Sequence, residues 1–180
     1  PARSAETGAS SRGASPARAA PDPVETAVRY LAHRPRTVAE VRKHLRSRGC
    51  GLTAIALAIA RVTHLGYLDD RSYAERFVAA AGGRRPRGRL RLQQDLLRRG
   101  VARPIVEQVL AEAFGPEVES AALDRALARA MRGTAWPLDA AARRRIAARL
   151  MRGGFRPGQV MQALDTAGDD EAQEDDAIRP

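Results

Sequence analysis

Cysteine is nearly absent from this chain. Cys50 is the only one in 180 residues, so no internal disulfide can staple the fold. Lysine is almost as scarce: Lys43 is the only one among 31 basic residues, and the rest are arginine. Aromatics make up 4% of the chain, as three Phe, three Tyr and one Trp. Proteins that grip single strands by base stacking interleave aromatics with cations, and this composition argues against base-specific recognition. No apolar run is long enough to span a bilayer, and the N-terminus carries no apolar signal core. No run of alternating β-branched residues argues for a strand. The sequence shows no kinase, hydrolase or nucleotide-binding signature. His44 and Cys50 stand at a spacing that fits no standard zinc pattern. No metal, cofactor or catalytic residue is expected, and the cytoplasm is the expected compartment.

What the chain does have is a repeated pattern. Two apolar residues four apart precede a glycine in Val41/Leu45/Gly49, Leu92/Leu96/Gly100 and Ile146/Leu150/Gly154, at intervals of 51 and 54 residues. A second apolar pair follows each glycine: Ile55 and Ile59, Val106 and Leu110, Val160 and Leu164. Apolar residues at such spacing share one helix face, and glycine supplies the left-handed residue that ends a helix. A fixed period of this length marks a helical repeat array. The reading is all-α: three tandem three-helix repeats, over 22–70, 71–116 and 117–167, forming an elongated, curved array. Residues 1–21 read as a disordered basic arm and 168–180 as a disordered acidic tail.

Local signals place the helices. Asp22 with Pro23 and Glu25, and Thr37 with Glu40, are start signals. Thr53 reads as the cap of a third helix, with Leu52 and Leu57 as its staple. The second repeat reads as helices near 71–82, 88–99 and 104–114, the third as helices near 117–132, 140–152 and 157–167. In Gly66-Tyr67-Leu68-Asp69-Asp70, Gly66 ends a helix, Tyr67 and Leu68 pack in the seam between two repeats, and one aspartate caps the next helix. Paired carboxylates for chemistry are the lesser reading there.

The net charge is +10, and the acids of the tail leave the repeats more basic than the whole. Such a field favours polyanions. The densest run, Arg84, Arg85, Arg87, Arg89 and Arg91, with Arg98 and Arg99 beyond it, is the candidate contact surface. A solvated loop is the competing reading.

Three stretches together resemble the RecX family. One is Gly66-Tyr67-Leu68-Asp69-Asp70 with Tyr73-Ala74 and Phe77. The second pairs Arg34-Pro35-Arg36-Thr37, Glu40-Val41 and Leu45 with Arg85-Pro86-Arg87-Gly88, Leu92, Asp95-Leu96 and Arg98-Arg99-Gly100-Val101. The third is Gly153-Gly154-Phe155 with Val160. The resemblance covers about residues 24–167. It implies a cytoplasmic regulator that binds RecA–DNA filaments, lies in the filament groove, and modulates, usually inhibits, RecA recombinase and ATPase activity; a monomer is expected. Two other readings stand beside it: a nucleic-acid-binding protein that acts without RecA, and a helical scaffold for an acidic protein.

Overall fold

Each helix begins and ends where local chemistry satisfies its backbone. The computed structural model describes residues 22–83, 86–134 and 137–177. In the first repeat, α1 (Pro23–His33) starts from Asp22, whose carboxylate accepts from the Val24 N–H at 2.9 Å. In α2 (Val38–Ser47), Thr37 and Glu40 form the reciprocal capping box. α3 (Leu52–His64) departs from expectation. Gly51 is its N-cap and makes no side-chain bond, so Thr53 lies inside the helix. Leu52 and Leu57 are 72% and 67% exposed and form no buried staple.

The second repeat holds α4 (Asp70–Ala79), a 3-10 turn (Ala80–Gly82), α5 (Arg89–Arg98) and α6 (Arg103–Ala113). The third holds α7 (Pro116–Met131), α8 (Ala140–Arg152) and α9 (Pro157–Ala177). The described residues contain no strand. α9 corrects the expected end of the array: it continues through Gly168 to Ala177. Gly168 stays helical, and the Ala, Glu and Gln beyond it are good helix formers. The acidic segment therefore extends the last helix as far as it is described. Residues 1–21, read as a basic arm, lie outside the described residues.

The three glycines end the second helices identically. Gly49, Gly100 and Gly154 have φ of +81°, +81° and +91°. The residue after each donates its N–H to the carbonyl five back: Cys50 to Leu45, Val101 to Leu96 and Phe155 to Leu150. The apolar pairs ahead of them, Val41/Leu45, Leu92/Leu96 and Ile146/Leu150, are all buried. Each such side chain contributes about 1.5–3 kcal/mol by leaving water.

The repeats meet at the ends of their second helices. Thr37, at the start of α2, donates its hydroxyl to the Arg99 carbonyl at the end of α5 (2.6 Å). A Cβ on Gly100 would overlap Ala39. The same joint recurs one repeat on. Gly88, at the start of α5, donates its N–H to the Gly153 carbonyl at 2.9 Å, and Leu90 donates to Gly154 at 3.2 Å. A Cβ on Gly154 would overlap the backbone of Arg91. Thus the N-terminus of α2 sits on the C-terminus of α5, and that of α5 on α8. Opposite dipole ends face each other at both joints. The apolar cores are divided differently. Repeats 2 and 3 share one continuous cluster, while Ala27, Val41, Leu45, Ile55, Ala58, Val62 and Leu68 form a separate one in repeat 1.

Candidate polyanion-binding surface

The expected basic run divides in the structure. Arg84 and Arg85 lie outside the described residues. Arg87 is exposed and pairs with Asp95 at 3.2 Å. Arg89 turns inward: its Nη1 donates to the Leu110 carbonyl at 2.7 Å and the Phe114 carbonyl at 3.0 Å. It thereby adds a donor at the end of α6: the Leu110 carbonyl also accepts the Phe114 N–H, and the Phe114 carbonyl lies at the C-cap, where the helix supplies no partner. Arg89 is a structural cap, and this corrects its assignment to the contact surface. Arg91 pairs with Asp95 at 3.3 Å, and Arg98 pairs with the same carboxylate. Arg99 reaches Glu40 of the first repeat at 3.4 Å. The guanidinium carbons of Arg87 and Arg99 lie 5.7 and 5.3 Å from the centre of the Phe77 ring.

Asp95 organises this cluster. Its side chain is only 11% exposed, against 44%, 44% and 63% for Arg87, Arg91 and Arg98. One carboxylate thus gathers three arginines and leaves a net positive charge facing solvent. Exposed ion pairs of this sort add little stability, about 0–1 kcal/mol each. Their effect is to hold flexible guanidinium groups together.

The Gly66–Asp70 segment connects α3 to α4, and Tyr67 departs from its expected place. Gly66 ends α3 at φ +75°, and Leu68 is buried in the first core. Tyr67, expected in the seam, is 60% exposed. Asp69 caps α4, accepting from the Arg71 and Ser72 N–H groups at 2.9 and 3.2 Å. Asp70 does what the sequence did not suggest: it accepts from the Val38 N–H at 2.9 Å and so ties the starts of α4 and α2 together. Burial pushes the Asp70 carboxyl above its ordinary range, opposed by the Val38 bond and assisted by neighbouring Asp69.

The sequence reading missed most of the basic surface. α2 exposes Arg42, Lys43 and Arg46, and α8 exposes Arg144, Arg145, Arg149 and Arg152 with no acid in the helix. By contrast, α4 balances Arg71 and Arg76 with Asp70 and Glu75, and α6 sets Arg103 against Glu107 and Glu112. Cations therefore segregate onto the second helices, the ones that abut end to end. Comparing helices across the repeat register would have shown this. A cleft of about 320 Å³ between repeats 2 and 3 is lined by Pro86, Ala126, Arg129, Arg149, Leu150, Gly153 and Phe155. Among the described residues no cluster of three or more His, Cys, Asp or Glu could hold a metal ion, and no helix is long and apolar enough to cross a membrane.

Three-helix units in tandem, joined through their second helices and bearing a basic face, define an all-α repeat protein. Comparison with known proteins gives the family. Residues 24–61 match the family model described as RecX, first three-helix domain, and residues 69–110 match RecX, second three-helix domain. The chain is 36% identical over 143 residues to the regulatory protein RecX of Trichlorobacter lovleyi, covering 77% of this chain and 91% of that protein. It is 34% identical over 147 residues to that of Halorhodospira halophila, covering 82% and 89%. Against other relatives the match is shorter: 49% of this chain and 58% of the protein from Chlorobium phaeobacteroides, at 31% identity, and 52% of this chain but 34% of one from Lactobacillus delbrueckii, at 36%. The crystal structure of RecX from Lactobacillus salivarius has the same fold, with a TM-score of 0.70 at 21% identity over 80% of this chain and 95% of that one. The chain belongs to the RecX family of regulatory proteins.

Proposed function

We propose that this protein binds the RecA–DNA filament and restrains RecA recombinase and ATPase activity, acting in the cytoplasm as a monomeric regulator without chemistry of its own. The observation that carries this reading is the alignment of charge with architecture. The basic helices α2, α5 and α8 follow one another through end-to-end joints, with about 15, 15 and 20 Å of helix respectively at 1.5 Å per residue. A linear partner bearing repeated negative charge suits such a series better than a small ligand does. Membership of a family of regulatory proteins supports a regulatory partner, and RecA is the partner we propose.

The test is RecA-driven strand exchange and single-strand-dependent ATP hydrolysis with this protein titrated in. Loss of both at concentrations that saturate the filament is the expected result. Tight binding to bare DNA with no effect on RecA would favour the RecA-independent reading instead. Binding that survives nuclease treatment and needs no RecA would favour an acidic protein partner.

A further inference from the structure

Repeat 3 leaves space between its first two helices. In repeat 1, the Tyr30 ring of α1 stacks on His44 of α2, with ring centres 3.9 Å apart. In repeat 2, the Phe77 ring of α4 lies 5.7 and 5.3 Å from the guanidinium carbons of Arg87 and Arg99, which flank α5. α7 has no aromatic residue. Toward α8 it sets Ala126 and Ala130, half-buried side chains that end at Cβ. Two hollows result, because close packing needs atoms that alanine does not supply. One is the cleft of about 320 Å³, where Leu150 and Phe155 are part of the lining. The other, of about 250 Å³, lies between Ala130 and Thr134 on one side and Ala142, Arg145 and Ile146 of α8 on the other. Each is several times a water's share of liquid volume, about 30 Å³.

The hollows follow one another along α8. Leu150 lines the first, Ile146 lines the second, and Arg149 borders both. Ile146 and Leu150 are four residues apart on the helix, about 6 Å along its axis. Side chains at i and i+4 on a second helix have the same spacing. Cations stand at both hollows. Arg129 lines the first and Arg145 the second, and no described lining residue is acidic. We propose that the α7–α8 groove seats an amphipathic helix of a partner protein. Two large apolar side chains, four residues apart, enter the hollows, and carboxylates lie beside Arg145 and Arg149.

Charge alone would suit a phosphate backbone equally well, and the hollows decide between the two. Nucleic acid offers its apolar surface as base faces, which bind by stacking on exposed rings. Phe155 is the one aromatic among the described lining residues, and it is 1% exposed, so no ring face is presented. An aliphatic side chain needs no such platform and gains by leaving water. The surrounding arginines then select a helix whose flanks are acidic.

The probe is a synthetic helical peptide with leucines four residues apart on one face and glutamates on the other. Its binding is read by anisotropy of labelled peptide and by the backbone amide resonances of the full chain. No RecA is present, so failure here leaves the filament reading untouched. Saturable binding is expected, with shifts concentrated on the parts of α7 and α8 that line the hollows. Oligoglutamate, which has the charge without the anchors, and the variant Arg149→Gln should each lower affinity roughly tenfold, about 1.4 kcal/mol. Ala126→Met with Ala130→Met fills both hollows. It should abolish peptide binding while leaving circular dichroism and oligothymidylate affinity unchanged. If that double variant misfolds, the exposed Arg149→Gln still decides, and full peptide affinity there would overturn the proposal. Equal affinity for oligoglutamate, peptide binding that survives in a folded double variant, shifts centred on another surface, or no binding would overturn it too. Shifts of these same amides by oligothymidylate but not by the peptide would assign the groove to nucleic acid and reject the protein partner.

Discussion

At the scale of single residues, the glycines separate two costs that usually come together. Gly49, Gly100 and Gly154 all hold positive φ, but only the last two are also crowded. Nothing stands within 4 Å of a Cβ on Gly49, while one on Gly100 would overlap Ala39 and one on Gly154 the backbone of Arg91. Gly49→Ala should therefore cost only the left-handed strain, about 1–2 kcal/mol. Gly100→Ala and Gly154→Ala should cost more, because each also pushes two repeats apart. Urea unfolding of the three variants checks the order, and equal losses would mean that the joints yield freely. Asp70 gives a second residue-scale test. Its folded pKa is raised, so the stability it contributes is fully present below its ordinary value of 3.8 and is lost as pH rises through the folded value. Asp70→Asn keeps an oxygen for the Val38 N–H and removes that penalty. Its stability relative to wild type should improve as pH rises from the ordinary value of 3.8 through the raised folded value, whereas Asp70→Ala should be destabilised throughout by the unpaired N–H. Chemical denaturation at several pH values measures both.

At the scale of elements, the proposed binding falls to the second helices, which carry exposed cations. α5 shows the division within a single run of arginines. Arg89 closes the end of α6, while Arg91 and Arg98 stay exposed around Asp95. Reversing charge at Arg145 and Arg149 of α8, or at Arg42 and Arg46 of α2, should weaken filament binding and flatten its salt dependence if the contacts are to phosphates. Circular dichroism should be unchanged, because these side chains are exposed. Arg89→Glu should behave differently, lowering thermal stability because α6 loses the donor to its Leu110 and Phe114 carbonyls. Affinity measured at several salt concentrations, beside melting curves, distinguishes the two classes. Full affinity in a folded α2 and α8 reversal would move the binding face elsewhere on the array.

At the scale of the whole molecule, the array is not uniform. Repeats 2 and 3 share one apolar core, while repeat 1 keeps its own and meets repeat 2 largely through polar contacts: Thr37 with Arg99, Val38 with Asp70, and Glu40 with Arg99. Such contacts contribute about 1 kcal/mol each, far less than a shared core. Repeat 1 should therefore open as its own cooperative unit. Native-state hydrogen exchange should give the amides of α1–α3 one opening free energy and those of α4–α9 another, higher one. A single value across α1–α9 would show that the polar joint couples the repeats fully.

The sequence by itself determined what depends on neighbours along the chain. Helix starts at Asp22 and Thr37, helix ends at Gly49, Gly100 and Gly154, and the buried faces through Val41, Leu92 and Ile146 all follow from caps, φ preference and 3.6-residue spacing. These are interactions within a few residues, and the pattern states them directly. Only the tertiary structure decided what lies opposite each surface. Arg89 reads as one more cation until α6 presents its carbonyls, and Asp70 as one more cap until Val38 arrives from the preceding repeat. Tyr67 reads as core until the seam closes on Leu68 alone. The end-to-end succession of α2, α5 and α8, which turns scattered arginines into one basic series, depends on Gly88 and Gly100 each meeting a different repeat. A glycine's need for space is set by its partner in three dimensions, and the partner's position is not written beside it in the chain.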